Sequence, residues 1–160
     1  MKRHTISFCI FFSFVSNVIL HQSVFASSQP FNIKAEQAIL LDYHTNTVLF
    51  DKNMHEKMTP SSMTKIMTIY LLFQALKNKS VTLDDTFYVS KKAWRQGGSR
   101  MFIEVDTDVP VRELILGTIV SSGNDASVAI AEGLAGSVSF FAQNMTNVAK
   151  TLGAENSNFK

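Results

Sequence analysis

The stretch Thr59-Pro60-Ser61-Ser62-Met63-Thr64-Lys65 sets a hydroxyl and an amine three residues apart, at the head of an apolar run that continues to Lys77. Proline is favourable just inside a helix start, because the N–H it lacks could not have been paired there. Thr59 is then the expected N-cap. Ser62 falls in the first turn, and Lys65 follows one turn later on the same face. Ser-x-x-Lys is one of the pairings that makes a serine nucleophilic without histidine. Burial and the positive end of the helix dipole both disfavour an ammonium, so Lys65 is expected to approach a neutral amine near neutral pH. The spacing also fits a plain first-turn serine followed by a lysine whose stem lies along apolar surface.

The helix behind the pair carries Met63, Ile66, Met67, Ile69, Tyr70, Leu71, Leu72, Phe73 and Leu76. It is apolar nearly all round, a pattern that predicts a helix in the middle of a domain. Before it, Ala38–Asp42 and Thr47–Asp51 are short apolar runs around Tyr43-His44-Thr45-Asn46, a hairpin pattern. After it, Thr86–Val89 and Met101–Val105 read as strands, and Lys91–Gln96 as a single helical turn. Pro110 opens a helix to about Val120, and Asp125 is the expected N-cap of the next, through about Leu134. A last helix starts near Ser137, with Phe141, Met145, Val148 and Leu152 on one face and Gly153 as its stop.

Met1 to Ala26 has the form of a secretory signal peptide: Lys2 and Arg3, an apolar core from Ile6 to Leu20, and Val24-Phe25-Ala26 before cleavage. The predicted product is exported to the periplasm or cell envelope, and residues 27–160 are enough for one core but small for one complete enzyme domain. Fifteen Lys and Arg face thirteen Asp and Glu. Without Lys2 and Arg3 the charges balance, which removes any case for nucleic acid. The only cysteine, Cys9, leaves with the same segment, so no disulfide is expected. His44 and His55, without cysteine near either, make a poor metal set.

Ser122-Gly123-Asn124 lies between two helices, sixty residues beyond Ser62. Those residue types suit a plain turn. Ser-x-x-Lys followed by Ser-x-Asn is, however, part of the motif set of penicillin-binding proteins and class A β-lactamases. At this point the chain resembles the low-molecular-mass penicillin-binding proteins, serine-type D-alanyl-D-alanine carboxypeptidases. The resemblance is carried by Ala38–Asp42, Pro60–Lys65, Gly98–Phe102, Val120–Ala126 and Ala149–Gly153. Glycine at the centre of the second motif fits that family better than a class A β-lactamase, which usually has Asp there and needs a deacylating glutamate.

The resemblance implies an α+β fold of the β-lactamase/transpeptidase type, with an N-terminal hairpin and a helical part. It implies that Ser62 attacks the carbonyl between two terminal D-alanines of a peptidoglycan stem peptide, while Lys65 accepts its proton. Ser122 would relay a proton to the leaving D-alanine, Asn124 would hydrogen-bond the substrate's amide backbone, and β-lactams would trap the same serine. No metal or organic cofactor is implied.

The family's third motif, Lys-Thr-Gly, is not matched. Lys150-Thr151-Leu152-Gly153 has one residue too many and lies in phase with the last helix. The expectation is therefore a truncated fold, without the strands that would cover the Ser62 helix and supply a carboxylate-binding cation and a second oxyanion donor. Loss of one such donor costs roughly 100- to 1000-fold in turnover. The alternative to an active enzyme is a remnant of a truncated or split gene, with little or no activity unless a separate chain completes it.

Overall fold

The computed structural model describes residues 33–160, which divide into two compact units, one ending at Glu56 and the other beginning at Lys57. The signal-peptide assignment lies outside the described residues.

The first unit is the expected hairpin. Strands β1 (Ala38–Leu41) and β2 (Val48–Lys52) pair antiparallel, with Ile39 opposite Asp51 and Leu40 opposite Phe50. Asp42 closes the turn: its Oδ1 accepts from the Thr45 N–H at 2.8 Å, the Thr45 hydroxyl at 2.7 Å and the His44 N–H at 3.2 Å. These bonds, from Thr45 first, hold the Asp42 carboxyl below its ordinary pKa. Asn46 takes a left-handed φ of 55°, which asparagine tolerates because its side chain bonds locally. Lys52 Nζ ties the start of the unit down by donating to the carbonyls of Ile33 and Ala35.

The second unit is mostly helical. A 3₁₀ turn, Ser61–Thr64, leads into α1 (Lys65–Lys77). Strand β3 (Thr86–Tyr88) pairs antiparallel with β4 (Asp108–Pro110), and α2 (Lys91–Trp94) lies between them in sequence. Helices α3 (Val111–Ile119), α4 (Asn124–Ala135) and α5 (Val138–Thr151) follow. Ser90 and Ser137 cap α2 and α5 by accepting from Ala93 N and Phe140 N. Gly153 leaves α5 with a φ of 89°, as its predicted stop requires. Lys150 and Thr151 belong to α5, so they present no strand motif.

The helix at the centre is α4, which packs against α1, α2, α3 and α5. Its small residues Ala126, Ala129 and Ala131 are buried with Ile130, against Leu72, Val89, Val111, Leu114, Phe141 and Met145. At Gly133 a Cβ would stand 2.3–2.5 Å from the Phe87 ring, so β3 approaches this closely only because the side chain is absent. The expectation of a centrally buried α1 is corrected. It buries Thr68, Ile69 and Leu72, while Ile66 is 72% and Phe73 48% exposed. Apolar residues all round a helix permit burial on every side, but contacts on only one side are made among the described residues.

Three local expectations also change. Thr59 does not cap: the turn begins at Ser61, whose φ is 49°, and no side-chain cap bond is made. Proline biases its preceding residue away from helix, so the chain enters through a tight 3₁₀ turn. Met101–Val105 is not a strand, and the partner of β3 is β4 instead. The Asp125 carboxylate accepts from the N–H groups of Met101 (3.0 Å), Phe102 (2.9 Å) and Ile103 (3.3 Å). Those donors are thereby lost to any ladder, and Phe102 turns to a φ of 63°. Asp125 is accordingly not an N-cap. Gly123 holds that position, and Asp125 lies within the first turn, 1% exposed.

Candidate active site

Ser62 sits in the 3₁₀ turn and Lys65 is the first residue of α1. Lys65 follows Ser62 by three residues, just past the end of the 3₁₀ turn, and both side chains line one cleft. The Lys65 N–H donates to the Ser62 carbonyl and closes this turn. Ser62 is exposed, and its hydroxyl makes no hydrogen bond among the described residues.

Ser122 and Asn124 arrive from the α3–α4 connection. Lys65 Nζ donates to Ser122 Oγ at 3.2 Å and to Asn124 Oδ1 at 2.6 Å. Asn124 Nδ2 donates to the Gly97 carbonyl at 2.7 Å, and the Asn124 N–H to the Ser99 carbonyl at 2.8 Å. This network fixes the amide orientation, since reversal would face an NH₂ towards the lysine and a carbonyl towards a carbonyl. Lys65 is half-buried, and its desolvation lowers the amine's pKa below the ordinary lysine value.

The turn that carries Ser122 is held tightly. Ser122 has a left-handed φ of 51°, and Gly123 N–H donates to the Gly117 carbonyl at 2.9 Å. A Cβ on Gly123 would come within 3.0 Å of Asp125 Oδ1 and 3.1 Å of the Gly117 carbonyl, so glycine answers a close approach here. A non-glycine residue at positive φ costs about 1–3 kcal/mol and persists where its surroundings over-determine it.

These residues open on a cleft of about 430 Å³. Ser62, Lys65 and Ser122 form its polar end, and Ile66, Ile69, Tyr70, Phe73 and Ile119 line the remainder. Thr118 also lines it, 2% exposed, with a hydroxyl that has no hydrogen-bond partner among the described residues.

Three of the four residues singled out in the sequence thus share one hydrogen-bonded cluster, with Ser62 on the same cleft. Two features escaped the sequence. One is the pair of carbonyls at Gly97 and Ser99 that grips Asn124; Gly98–Phe102 matched the resemblance but carried no assigned role. The other is Asp125 as the anchor of 101–103, for which an acid beside an apolar helix was the only local signal. Asn124, expected to meet substrate, has its carbonyl oxygen engaged by Lys65.

The arrangement suits transfer of an acyl group to serine, with an amine of lowered pKa at hand. The family profile described as D-alanyl-D-alanine carboxypeptidase matches residues 23–160. D-alanyl-D-alanine carboxypeptidase DacF of Bacillus subtilis is 41% identical over 127 residues, covering 79% of this chain and 33% of that protein. Among solved structures, the carboxypeptidase DacD of Francisella tularensis superposes with a TM-score of 0.76 at 35% identity, over 81% of this chain and 32% of that one. Penicillin binding protein 5 of Haemophilus influenzae gives 0.75 at 36% identity, over 80% and 38%. The chain therefore spans 33–43% of the length of the curated relatives it matches. Motif spacing, fold and profile agree: the chain belongs to the D-alanyl-D-alanine carboxypeptidase family, with the mixed helix-and-sheet fold of the penicillin-binding proteins.

Proposed function

We propose that the chain carries the nucleophile, base and relay of a serine-type carboxypeptidase that removes the terminal D-alanine of peptidoglycan stem peptides. The carrying observation is Lys65 Nζ between Ser122 Oγ and Asn124 Oδ1, on the cleft where the Ser62 hydroxyl stands free. Ser62 Oγ attacks the carbonyl carbon between the two D-alanines and passes its proton to neutral Lys65. The Ser62 N–H, in a first turn without a preceding helical carbonyl, donates to the developing oxyanion. Ser122 passes a proton from Lys65 to the departing amine, the C–N bond breaks, and D-alanine leaves. Water then attacks the ester, giving its proton to Lys65, and Ser62 recovers its hydrogen as the C–O bond breaks. Asn124 holds the Lys65 amine in place while its backbone is gripped by Ser99. A β-lactam enters the same path through its strained amide and stops at the ester.

The work belongs outside the cytoplasm, since peptidoglycan is the substrate and Met1–Ala26 has the form of an export signal. A second reading is favoured by the apolar side of the cleft, where Ile66, Phe73 and Ile119 stand exposed. In that reading the chain completes its site only with a complementing polypeptide, as a split gene would supply. The experiment compares covalent labelling by a fluorescent penicillin with D-alanine release from a peptide ending in D-Ala-D-Ala. The first reading expects both. Labelling without release favours the second, and the absence of any labelling refutes Ser62 as nucleophile.

A further inference from the structure

Between Asp85 and Glu104 the chain carries four cations, Lys91, Lys92, Arg95 and Arg100, and no acid. The described residues as a whole balance their charges, so this concentration is local. Lys91, Lys92 and Arg95 lie on or at the end of the single turn of α2, and all three are exposed. Lys91, Trp94 and Arg95 stand at i, i+3 and i+4 and therefore share a side of that turn. Ala93 faces inward, fully buried. Trp94 is 42% and Phe102 70% exposed, and the Arg100 guanidinium lies over the Phe102 ring, 4.7 Å from its centroid.

Among the described residues none of these four cations makes an ion pair. Three carboxylates of adjoining segments are otherwise occupied: Glu132 accepts from the Ser90 hydroxyl at 2.6 Å, Asp125 holds the 101–103 backbone, and Asp106 accepts from the Tyr88 hydroxyl. The cationic face is also placed beside the active site. The Gly97 carbonyl, two residues after Arg95, accepts from the Asn124 side chain, and the Ser99 carbonyl, one residue before Arg100, accepts from the Asn124 N–H. Consecutive Cα atoms are 3.8 Å apart, so Arg95 and Arg100 cannot stand far from the cleft's edge.

We propose that this face binds the acidic, peptide-bearing glycan of the cell wall, so that wall strands are held beside the cleft. The proposal rests on the carboxypeptidase reading for its choice of polymer. Unpaired exposed cations raise the local concentration of a polyanion, and the carboxylates of stem peptides supply one. Trp94 and Phe102 add apolar area with little side-chain entropy to lose.

The experiment sediments the full chain with purified peptidoglycan sacculi, for wild type and for the triple variant Lys91→Gln, Lys92→Gln, Arg95→Gln, with fluorescent-penicillin labelling run in parallel. Co-sedimentation should fall about tenfold in the variant while labelling of Ser62 is unchanged. Wild-type binding should also weaken between low salt and about 0.5 M, where screening shortens to a few ångströms. That salt titration needs no variant and stands even if the triple variant fails to fold. Equal sedimentation by both proteins, salt-independent binding, no binding at all, or preference for phosphatidylglycerol vesicles over sacculi would overturn the proposal. Cation-dependent wall binding without Ser62 labelling would instead leave it standing and remove the carboxypeptidase reading.

Discussion

At Lys65 the decisive quantity is the amine's protonation state. Only the neutral form can take the proton of Ser62, and desolvation lowers the pKa at which that form becomes populated. The rate of Ser62 acylation should therefore rise with pH through the lowered Lys65 value and level off before an ordinary lysine would titrate. Asn124→Asp sets a carboxylate where a neutral oxygen now accepts from Lys65 at 2.6 Å. A nearby opposite charge favours the ammonium, so the variant's pH–rate profile should move to higher pH, and stopped-time labelling across a pH series reads the shift. A profile that stays in place would show that Asn124 does not govern the base.

At the scale of elements, the loop 97–103 and the start of α4 are one unit. Asp125 takes three backbone N–H groups of the loop, and Gly97 and Ser99 return two carbonyls to Asn124. Asp125→Ala leaves the buried Ile103 N–H unpaired, at about 1–3 kcal/mol, and frees the part-buried donors of Met101 and Phe102. The melting temperature should fall by several degrees, and acylation should slow as well because Asn124 loses its support. A melt unchanged within error would show that the loop is held by other means. These contacts also explain what was legible in the sequence. Ser62 and Lys65 are local, so their spacing alone placed them together. The hairpin and the helices after Pro110 followed from turn residues and periodicity. Met101-Phe102-Ile103-Glu104-Val105 has the composition of a strand, but an acid more than twenty residues away claims its N–H groups. No local pattern carries that information. Strand β4 was missed for the opposite reason: Asp108-Val109-Pro110 is short, acidic and ends in proline, and pairing with Thr86–Tyr88 alone makes it a strand.

For the whole molecule, the exposed apolar surface is the dominant physical fact. Ile66 and Phe73 on α1 and Ile119 at the end of α3 stand open in the cleft, and Leu116 and Val120 are exposed as well. Contiguous exposed apolar area favours association. The purified chain should elute from size exclusion as concentration-dependent oligomers, and the double variant Phe73→Glu, Ile119→Glu should shift it towards monomer. Concentration-independent elution of the wild type would contradict this. The proposed export makes a separate prediction: N-terminal sequencing of the protein recovered from cells should begin at Ser27, and an intact Met1 would contradict cleavage after Ala26.

The most direct test of the central claim locates the adduct. The purified chain is incubated with a penicillin, digested, and mapped by mass spectrometry. One opened β-lactam is predicted on the peptide that contains Ser62, absent in Ser62→Ala and formed at least about a hundredfold more slowly in Lys65→Met. Undiminished labelling of Ser62→Ala, or no adduct after saturating exposure of the wild type, would contradict Ser62 as the nucleophile and Lys65 as its base.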